Sequence, residues 1–270
     1  MEFLEIDGTR LECRRAGPGP AEAPTIVCLH EGLGAVSTWR DFPDALAAAT
    51  GCGALIYSRA GYGWSDAVAL PRPVRFMHDE AETLAKVIEA AGLRDVVLLG
   101  HSDGASIALI AAGRRLIPGL RALVLEAPHV FAEPSGLKSI ARIAEAYRTT
   151  DLRVRLERHH GANTDGAFWG WNGVWLHPDF RAWNIEEFLP GIEVPALIVQ
   201  GERDEYGSWA HVESIQRGSG APVQTLAVPD CGHAPHAEHR DTVLGAMAAF
   251  IRDVLRGGGD PASTAPASAP

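Results

Sequence analysis

The sequence is poor in lysine and lacks both long apolar runs and paired cysteine motifs. Only two of its 24 basic residues are lysines, and its net charge is −10. An acidic chain without a basic cluster is a poor match for nucleic acid or for an anionic membrane surface. No apolar run approaches the roughly 20 residues that a bilayer-spanning helix needs. The sequence therefore predicts neither a nucleic-acid partner nor a membrane partner.

The amino terminus and the cysteines point to a reducing compartment. The first residues, MEFLEIDGTRLECRR, alternate apolar and polar side chains and lack the basic-then-apolar layout of a signal peptide. The cysteines form no Cys-x-x-Cys pair and are expected to be free or buried thiols: Cys13, Cys28, Cys52 and Cys231. We expect a cytoplasmic protein with no metal and no organic cofactor. The expected partner is a small molecule, and the sequence does not decide whether the protein forms a homodimer.

Short apolar runs alternate with segments of helical periodicity along most of the chain. Six such runs have strand length: 25–30, 54–58, 95–100, 120–128, 195–201 and 223–228. Two further strands at the amino terminus are joined at Asp7-Gly8, a favoured hairpin turn. Helical spacing predicts helices over 36–50, 74–92, 105–115 and 242–256. This alternation is typical of an α/β fold with a mostly parallel sheet covered on both faces.

One long segment interrupts the alternation. Between Pro128 and Pro195 no run predicts a strand, and four of the seven tryptophans lie there. A connection of this length is too long for a plain loop, so we predict a helical cap. The predicted organisation is a core of residues 1–128 and 193–256, a cap of residues 129–192 and a disordered, proline-rich tail of residues 257–270.

A candidate nucleophile lies in the pentapeptide GHSDG, residues 100–104. Ser102 follows a predicted strand and opens a predicted helix, and catalytic groups gather at the carboxyl ends of parallel strands. The flanking glycines permit a tight turn that projects the hydroxyl above the sheet. The alternative is an ordinary helix N-cap serine. An N-cap needs no pair of glycines around it, so we favour the nucleophile.

The ends of two later strands carry the acid and the base that a nucleophilic serine needs. Asp204 follows the strand 195–201, and His233 follows the strand 223–228. The histidine would take the serine proton, and the aspartate would orient the histidine. The alternatives are Glu202 and Glu205 for the acid, and His236 and His239 for the base. Three histidines in seven residues also suit a metal, but no second cluster with ligand spacing accompanies them.

Acyl transfer also needs two backbone N–H donors for the developing oxyanion. One would be the amide of Asp103, directly after the serine. The other would come from the loop HEGLG, residues 30–34, with Gly32 as the first choice and Leu33 as the second. The alternative is a plain glycine-rich turn.

Five segments together make residues 1–256 resemble the α/β-hydrolase family: LHEGLG, YSRAGYGWSD, GHSDG, QGERD and CGHAPHAE. The resemblance implies an eight-stranded, mostly parallel sheet flanked by helices, with a helical cap that forms much of the substrate pocket. Two acids depart from the family pattern. Glu31 interrupts the usual His-Gly pair, and Asp103 stands where an apolar residue is common. Because negative charge there would oppose an oxyanion, we expect these side chains to turn away, to be protonated, or to hydrogen-bond to His30 or His101.

A serine nucleophile disfavours the dehalogenase and epoxide-hydrolase branches, which resemble this chain but use aspartate. We expect a carboxylesterase-type serine hydrolase that cleaves a small to medium, largely apolar ester through an acyl-enzyme. The alternatives are a carbon–carbon bond hydrolase of ring-cleavage products, a thioester or lactone hydrolase, and a non-catalytic small-molecule receptor. The residues expected to line the pocket are His30, Glu31, Trp169, Trp171, Trp175 and Trp183. Packing of the cap onto the core is the alternative role for these tryptophans.

Overall fold

A computed structural model describes residues 2–257, which form one eight-stranded sheet of order β1-β2-β4-β3-β5-β6-β7-β8. The strands are β1 (Glu2–Ile6), β2 (Thr9–Ala16), β3 (Thr25–Leu29), β4 (Gly53–Tyr57), β5 (Val96–His101), β6 (Leu120–Glu126), β7 (Ala196–Gly201) and β8 (Val223–Val228). Strand β2 is antiparallel to both β1 and β4, and every other pair is parallel. The α/β fold with a mostly parallel sheet is confirmed, as is the amino-terminal hairpin.

Nine α-helices accompany the sheet in this described range. They are α1 (Phe42–Thr50), α2 (Phe76–Ala90), α3 (Asp103–Gly113), α4 (Pro134–Thr149), α5 (Leu152–His160), α6 (Thr164–Trp175), α7 (Ala210–Gly218), α8 (Pro235–Glu238) and α9 (Arg240–Gly257). Short 3₁₀ helices cover Val36–Trp39, Gly161–Asn163, Pro178–Ala182 and Glu186–Gly191. Among the described helices, none is both long enough and apolar enough to cross a membrane.

The core lies on both faces of the sheet, and this explains the continuous apolar runs of its strands. Along β5, Val96 and Leu98 pack on the side of α2 and α3, whereas Val97 and Leu99 pack on the side of α1 and α9. All four side chains are fully buried. A central parallel strand is therefore apolar along most of its length.

The single helix predicted over 36–50 is wrong. Residues Val36–Trp39 form a 3₁₀ turn, Arg40 then takes a left-handed φ of 53°, and α1 begins only at Phe42. Pro43 stands in the first turn of α1. Proline has no N–H to donate within a helix interior but is well suited to the first turn, so the chain starts a new helix there.

Residues 127–195, called the insertion below, connect β6 to β7 and contain α4, α5 and α6. An isolated bridge pairs Phe131 with Asn184 and brings the two ends of the insertion together. The helical content agrees with the sequence-based expectation for this segment, and its predicted boundaries stay a prediction. The predicted disordered tail lies outside the described residues, apart from Gly257, which ends α9.

Candidate active site

Ser102 occupies a strained turn between β5 and α3. Its φ of 54° and ψ of −117° place a non-glycine residue in a region that side chains rarely adopt. The turn is tight because a side chain at Gly100 would come 2.5 Å from the carbonyl oxygen of Gly104, and a side chain at Gly104 would overlap the carbonyl oxygen of Leu29. The glycines of the pentapeptide are therefore a steric requirement of this turn.

Three strand ends bring a serine, a histidine and a carboxylate into line. The Nε2 atom of His233 lies 2.9 Å from Ser102 Oγ. Its Nδ1 atom lies 2.9 Å from both carboxylate oxygens of Asp204. Ser102 follows β5, Asp204 follows β7, and His233 follows β8. This arrangement suits proton transfer from the hydroxyl to the imidazole.

Asp204 is held as an ionised acceptor. Its Oδ2 accepts from Gln200 Nε2 at 2.8 Å, and its Oδ1 accepts from the amides of Tyr206 at 2.8 Å and Gly207 at 3.3 Å. Burial raises the pKa of Asp204, but the charge and hydrogen bond of His233 and the Tyr206 amide lower that pKa well below its usual range. The carboxylate can therefore fix the His233 tautomer with its proton on Nδ1.

The alternative residues lie elsewhere. His236 points its Nδ1 at Glu126, 2.9 Å from both oxygens, and not at the serine. Within the described residues, Glu202, Glu205 and His239 make no side-chain hydrogen bond to Ser102 or His233. The structure thus brings together the three residues that the sequence analysis favoured. Their catalytic roles stay a prediction.

His101, Glu126 and His236 form a buried cluster whose ligand atoms all lie within 4.8 Å of one another. Two imidazoles and a carboxylate are a donor set that transition metals accept. Here, however, His101 Nε2 donates to the His233 carbonyl at 2.7 Å, and Glu126 accepts from both the ring and the amide of His236. We assign no metal to this cluster, because His101 Nε2 and His236 Nδ1 already form hydrogen bonds within the protein.

A cavity of about 120 Å³ opens on Ser102 and His233. Trp171 and Trp175 from α6 and Ile140 from α4 form the wall on the side of the insertion. The other lining residues are Glu31, Gly32, Leu33, Asp103, His129 and Tyr206. Of these lining residues, the sequence analysis did not identify His129, Ile140 or Tyr206. Only Tyr206 carried a usable signal, because it lies two residues beyond the predicted acid.

Half of the predicted pocket residues line this cavity, and half do not. Glu31, Trp171 and Trp175 do so, whereas His30, Trp169 and Trp183 do not. Three contacts explain the difference: His30 accepts from the Arg59 amide beneath the loop, Trp169 packs under the Arg148 guanidinium, and Trp183 stacks on Phe180. Because 171 and 175 are one helical turn apart, they share a face of α6 that residue 169 cannot share.

The backbone amides that were predicted to bind the oxyanion have no hydrogen-bond acceptor among the described residues. Within the described chain, neither the Gly32 amide nor the Asp103 amide donates a hydrogen bond, and both residues line the cavity. The Leu33 amide likewise donates no hydrogen bond within the described chain, and Leu33 also lines the cavity. Gly32 and Leu33 therefore both stay candidates for the second donor, as the sequence analysis had left them.

Glu31 forms an ion pair with His101, whereas the sequence-based alternative was a hydrogen bond to that residue or to His30. One carboxylate oxygen lies 3.6 Å from His101 Nδ1. Burial would lower the pKa of His101, but the charges of Glu126 and Glu31 raise that pKa to about 9. Burial would raise the pKa of Glu31, but the adjacent His101 lowers that pKa well below its usual range. An imidazolium between two carboxylates thus offsets the negative charge of Glu31.

Asp103 neither turns away from the cavity nor hydrogen-bonds to a histidine. Its Oδ1 accepts from Trp175 Nε1 at 3.1 Å, and its Oδ2 is buried without a partner among the described residues. Burial raises the pKa of Asp103 to about 6, although the Arg59 charge and the Trp175 hydrogen bond oppose the rise. A residue that lines the cavity next to the nucleophile therefore carries a buried carboxyl oxygen without a partner in the described chain.

Comparisons with known proteins agree with this architecture. Serine hydrolase BPHL from Homo sapiens is 28% identical over 165 residues, a match that spans 58% of this chain but only 55% of that protein. The enol-lactonase from Burkholderia xenovorans LB400 has a TM-score of 0.70 and 20% identity, and the match covers 94% of this chain and all (100%) of that one. The esterase RhEst1 from Rhodococcus sp. ECU1013 has a TM-score of 0.66 and 18% identity over 94% of this chain and 98% of that one.

A family profile also matches most of the chain. The profile of the alpha/beta hydrolase family covers residues 26–246. This range includes β4 to β8, all of β3 except Thr25, the whole insertion and the candidate active site. The chain therefore belongs to the alpha/beta hydrolase family.

Proposed function

We propose that this protein is a serine hydrolase that cleaves small carboxylic esters through an acyl-enzyme. The observation that carries the proposal is the hydrogen-bonded line from Ser102 through His233 to Asp204, which faces a cavity with open backbone amides. A non-catalytic receptor needs a pocket but has no need for this alignment. A strained serine with a histidine 2.9 Å from its hydroxyl is the arrangement of an activated nucleophile.

In the acylation step, Ser102 Oγ forms a bond to the ester carbonyl carbon and passes its proton to His233 Nε2. The carbonyl π electrons move to the oxygen, which the amides of Asp103 and of Gly32 or Leu33 then stabilise. As the carbonyl re-forms, the bond to the leaving alkoxide breaks, and His233 gives that oxygen its proton. Asp204 stabilises the imidazolium between these two transfers.

In the deacylation step, water takes the place of the departed alcohol. His233 removes a proton from the water as its oxygen attacks the acyl carbon, and the same amides hold the second oxyanion. The bond to Ser102 Oγ then breaks, the serine regains its proton from His233, and the carboxylic acid leaves. No cofactor is needed for either step.

The cavity favours a small acyl group. Its volume of about 120 Å³ lies well below the roughly 300–1,000 Å³ of sites for drug-sized ligands. The insertion would act as a cap, because Ile140, Trp171 and Trp175 close the cavity over the nucleophile. A ring-cleavage dienoate is large for this space, so the size disfavours carbon–carbon bond hydrolysis. Small lactones fit as well as small esters.

Asp103 adds a polar requirement that the sequence analysis did not foresee. A buried polar atom without a partner is costly, and Oδ2 of Asp103 is such an atom. A substrate that offers a hydrogen-bond donor near its carbonyl would satisfy this oxygen. The preferred substrate would thus combine a small apolar acyl chain with one donor group.

A panel of p-nitrophenyl esters with acyl chains from two to eight carbons tests the proposal. We expect the highest kcat/KM for the shortest chains and no turnover above background for Ser102→Ala. A fluorophosphonate probe is expected to label the parent enzyme and not this variant. Turnover that survives in Ser102→Ala, or an inert parent enzyme that fails to react with the probe, would contradict the proposal. A panel of small lactones distinguishes the second substrate class.

A further inference from the structure

A buried arginine lies directly beneath the loop that offers the second oxyanion donor. Arg59 follows β4 and is 1% exposed. Its guanidinium donates to two backbone carbonyls of that loop, from Nη1 to His30 O at 2.5 Å and from Nη2 to Glu31 O at 3.0 Å. The neighbouring buried Arg72 donates to the Ala60 carbonyl but also pairs with the carboxylate of Glu80, at 3.3 Å. The buried guanidinium of Arg59 binds backbone carbonyls and no carboxylate among the described residues, and this needs an explanation.

Two further donors meet Arg59 at the carbonyl oxygen of Glu31. They are His30 Nδ1 at 2.7 Å and the Gly34 amide at 3.2 Å. His30 Nε2 accepts from the Arg59 amide at 3.1 Å, so its proton resides on Nδ1. Burial and the Arg59 charge keep the pKa of His30 well below its usual range, which preserves this neutral tautomer. Three donors therefore determine the direction of one carbonyl.

The direction of this carbonyl determines the direction of the next amide. The Glu31–Gly32 peptide bond is trans, because the only cis bond among the described residues is Leu70-Pro71. In a trans peptide the C=O and the N–H point in opposite directions. Since the Glu31 carbonyl points at Arg59, the Gly32 N–H points away from it. Gly32 lines the cavity, and its amide is open there.

We infer that Arg59 is a positioning residue for the oxyanion: by binding the Glu31 carbonyl, it aims the Gly32 N–H at the substrate oxygen. This inference rests on the proposed function and selects Gly32 over Leu33. The guanidinium also polarises the peptide group, because its positive charge lies at the oxygen end of the peptide dipole. Arg59 acts only through this peptide and does not itself contact the reacting atoms.

The test compares Arg59→Met with the matched control Arg72→Met. Both arginines lie over the same ring, 5.0 and 4.9 Å from the Tyr62 centroid, so both variants remove a buried guanidinium from the same environment. The substrate is p-nitrophenyl acetate. The probe is 1,1,1-trifluoroacetone, to whose carbonyl carbon Ser102 Oγ adds while its proton passes to His233, leaving an oxyanion. The parent enzyme is expected to bind this ketone competitively.

For Arg59→Met we expect kcat to fall by about 10- to 100-fold with KM within about twofold, since an oxyanion donor acts on the transition state. The affinity for trifluoroacetone is expected to fall by the same factor. For Arg72→Met, kcat and the affinity for trifluoroacetone are both expected to stay within about threefold of the parent values. Equal losses in the two variants, or a loss of kcat without a loss of ketone affinity, would overturn the inference.

Arg59→Lys keeps the inference testable if the methionine variant does not fold. A single ammonium cannot bond two carbonyls as the planar fork of arginine does. We expect about a fivefold to twentyfold loss in both kcat and ketone affinity. A folded lysine variant with the parent's values for both would refute the role of Arg59. That result would leave Ser102-dependent turnover intact, whereas failure of the proposed function would abolish turnover and ketone binding in the parent itself.

Discussion

His101 donates a hydrogen bond from Nε2 to the backbone carbonyl of His233 at 2.7 Å. The residue before the candidate nucleophile thus holds the backbone of the candidate base. On its other side, His101 Nδ1 lies 3.6 Å from Glu31, which precedes Gly32. His101 therefore connects the loop of Ser102 with the loop of His233 and with the loop that carries the oxyanion donor.

This arrangement predicts a pH-dependent stability that disappears in His101→Gln. The pKa of His101 is raised from 6.5 to about 9 in the folded protein. The resulting stabilisation is fully present below pH 6.5 and is lost as the pH rises through 9, and it amounts to about 3 kcal/mol. We expect the free energy of unfolding of the parent to fall over this range, with a much smaller fall in the variant.

Urea unfolding at intervals between pH 6 and pH 10 measures this difference. His177→Gln is the control, since His177 is half exposed and pairs with Asp179 at the surface. The control is expected to follow the parent curve. A His101→Gln curve parallel to that of the parent would show that His101 is not an imidazolium in the folded protein.

Asp103→Asn is expected to show a pH dependence of the same sign in a lower pH interval. The pKa of Asp103 is raised from 3.8 to about 6, so the carboxyl destabilises the fold increasingly as the pH rises through this interval. Replacing it with an amide should therefore increase the relative stability of the variant by about 2 kcal/mol more at pH 8 than at pH 4.5. Urea unfolding of the parent and the variant at these two pH values checks the sign. A variant whose stability relative to the parent is the same at both values would contradict the raised pKa.

Asp103 also predicts a substrate preference. Asp103 lines the cavity and its Oδ2 has no hydrogen-bond partner among the described residues, so an ester with a donor next to its carbonyl would gain a hydrogen bond that a plain ester lacks. We expect methyl lactate to exceed methyl propionate in kcat/KM by about tenfold, and we expect Asp103→Ala to remove most of this ratio. A ratio that stays unchanged in the variant would show that the carboxyl does not contact the substrate.

Trp171 predicts the upper limit of acyl-chain length. Its side chain closes the cavity from α6, whereas Trp169 on the same helix does not line the cavity. Trp171→Ala is expected to shift the best p-nitrophenyl ester from the shortest chains to chains about four carbons longer, because removing the indole enlarges the pocket. Trp169→Ala is the matched control and should leave the ranking of chains unchanged. The same shift in both variants would indicate a general loosening of the insertion.

Several features were predictable because they depend on local sequence. The largely apolar runs of β3 to β7 indicate burial on both faces, and the hairpin follows from Asp7-Gly8. Ser102 could be selected because the two glycines that its turn requires are in the pentapeptide itself. Parallel strands place their carboxyl ends at the same edge of the sheet. Asp204 and His233, which follow the later strands, could therefore also be selected.

The sequence by itself determined the α/β alternation, the family and the candidate nucleophile, because periodicity and tight turns are encoded over a few neighbouring residues. Only the tertiary structure decided the partners. It shows that Trp171 and not Trp169 lines the cavity, that Glu31 pairs with His101, and that Arg59 binds the carbonyl of Glu31, 28 residues earlier in the chain. Such choices depend on how separate segments pack against one another, and no local pattern records that packing.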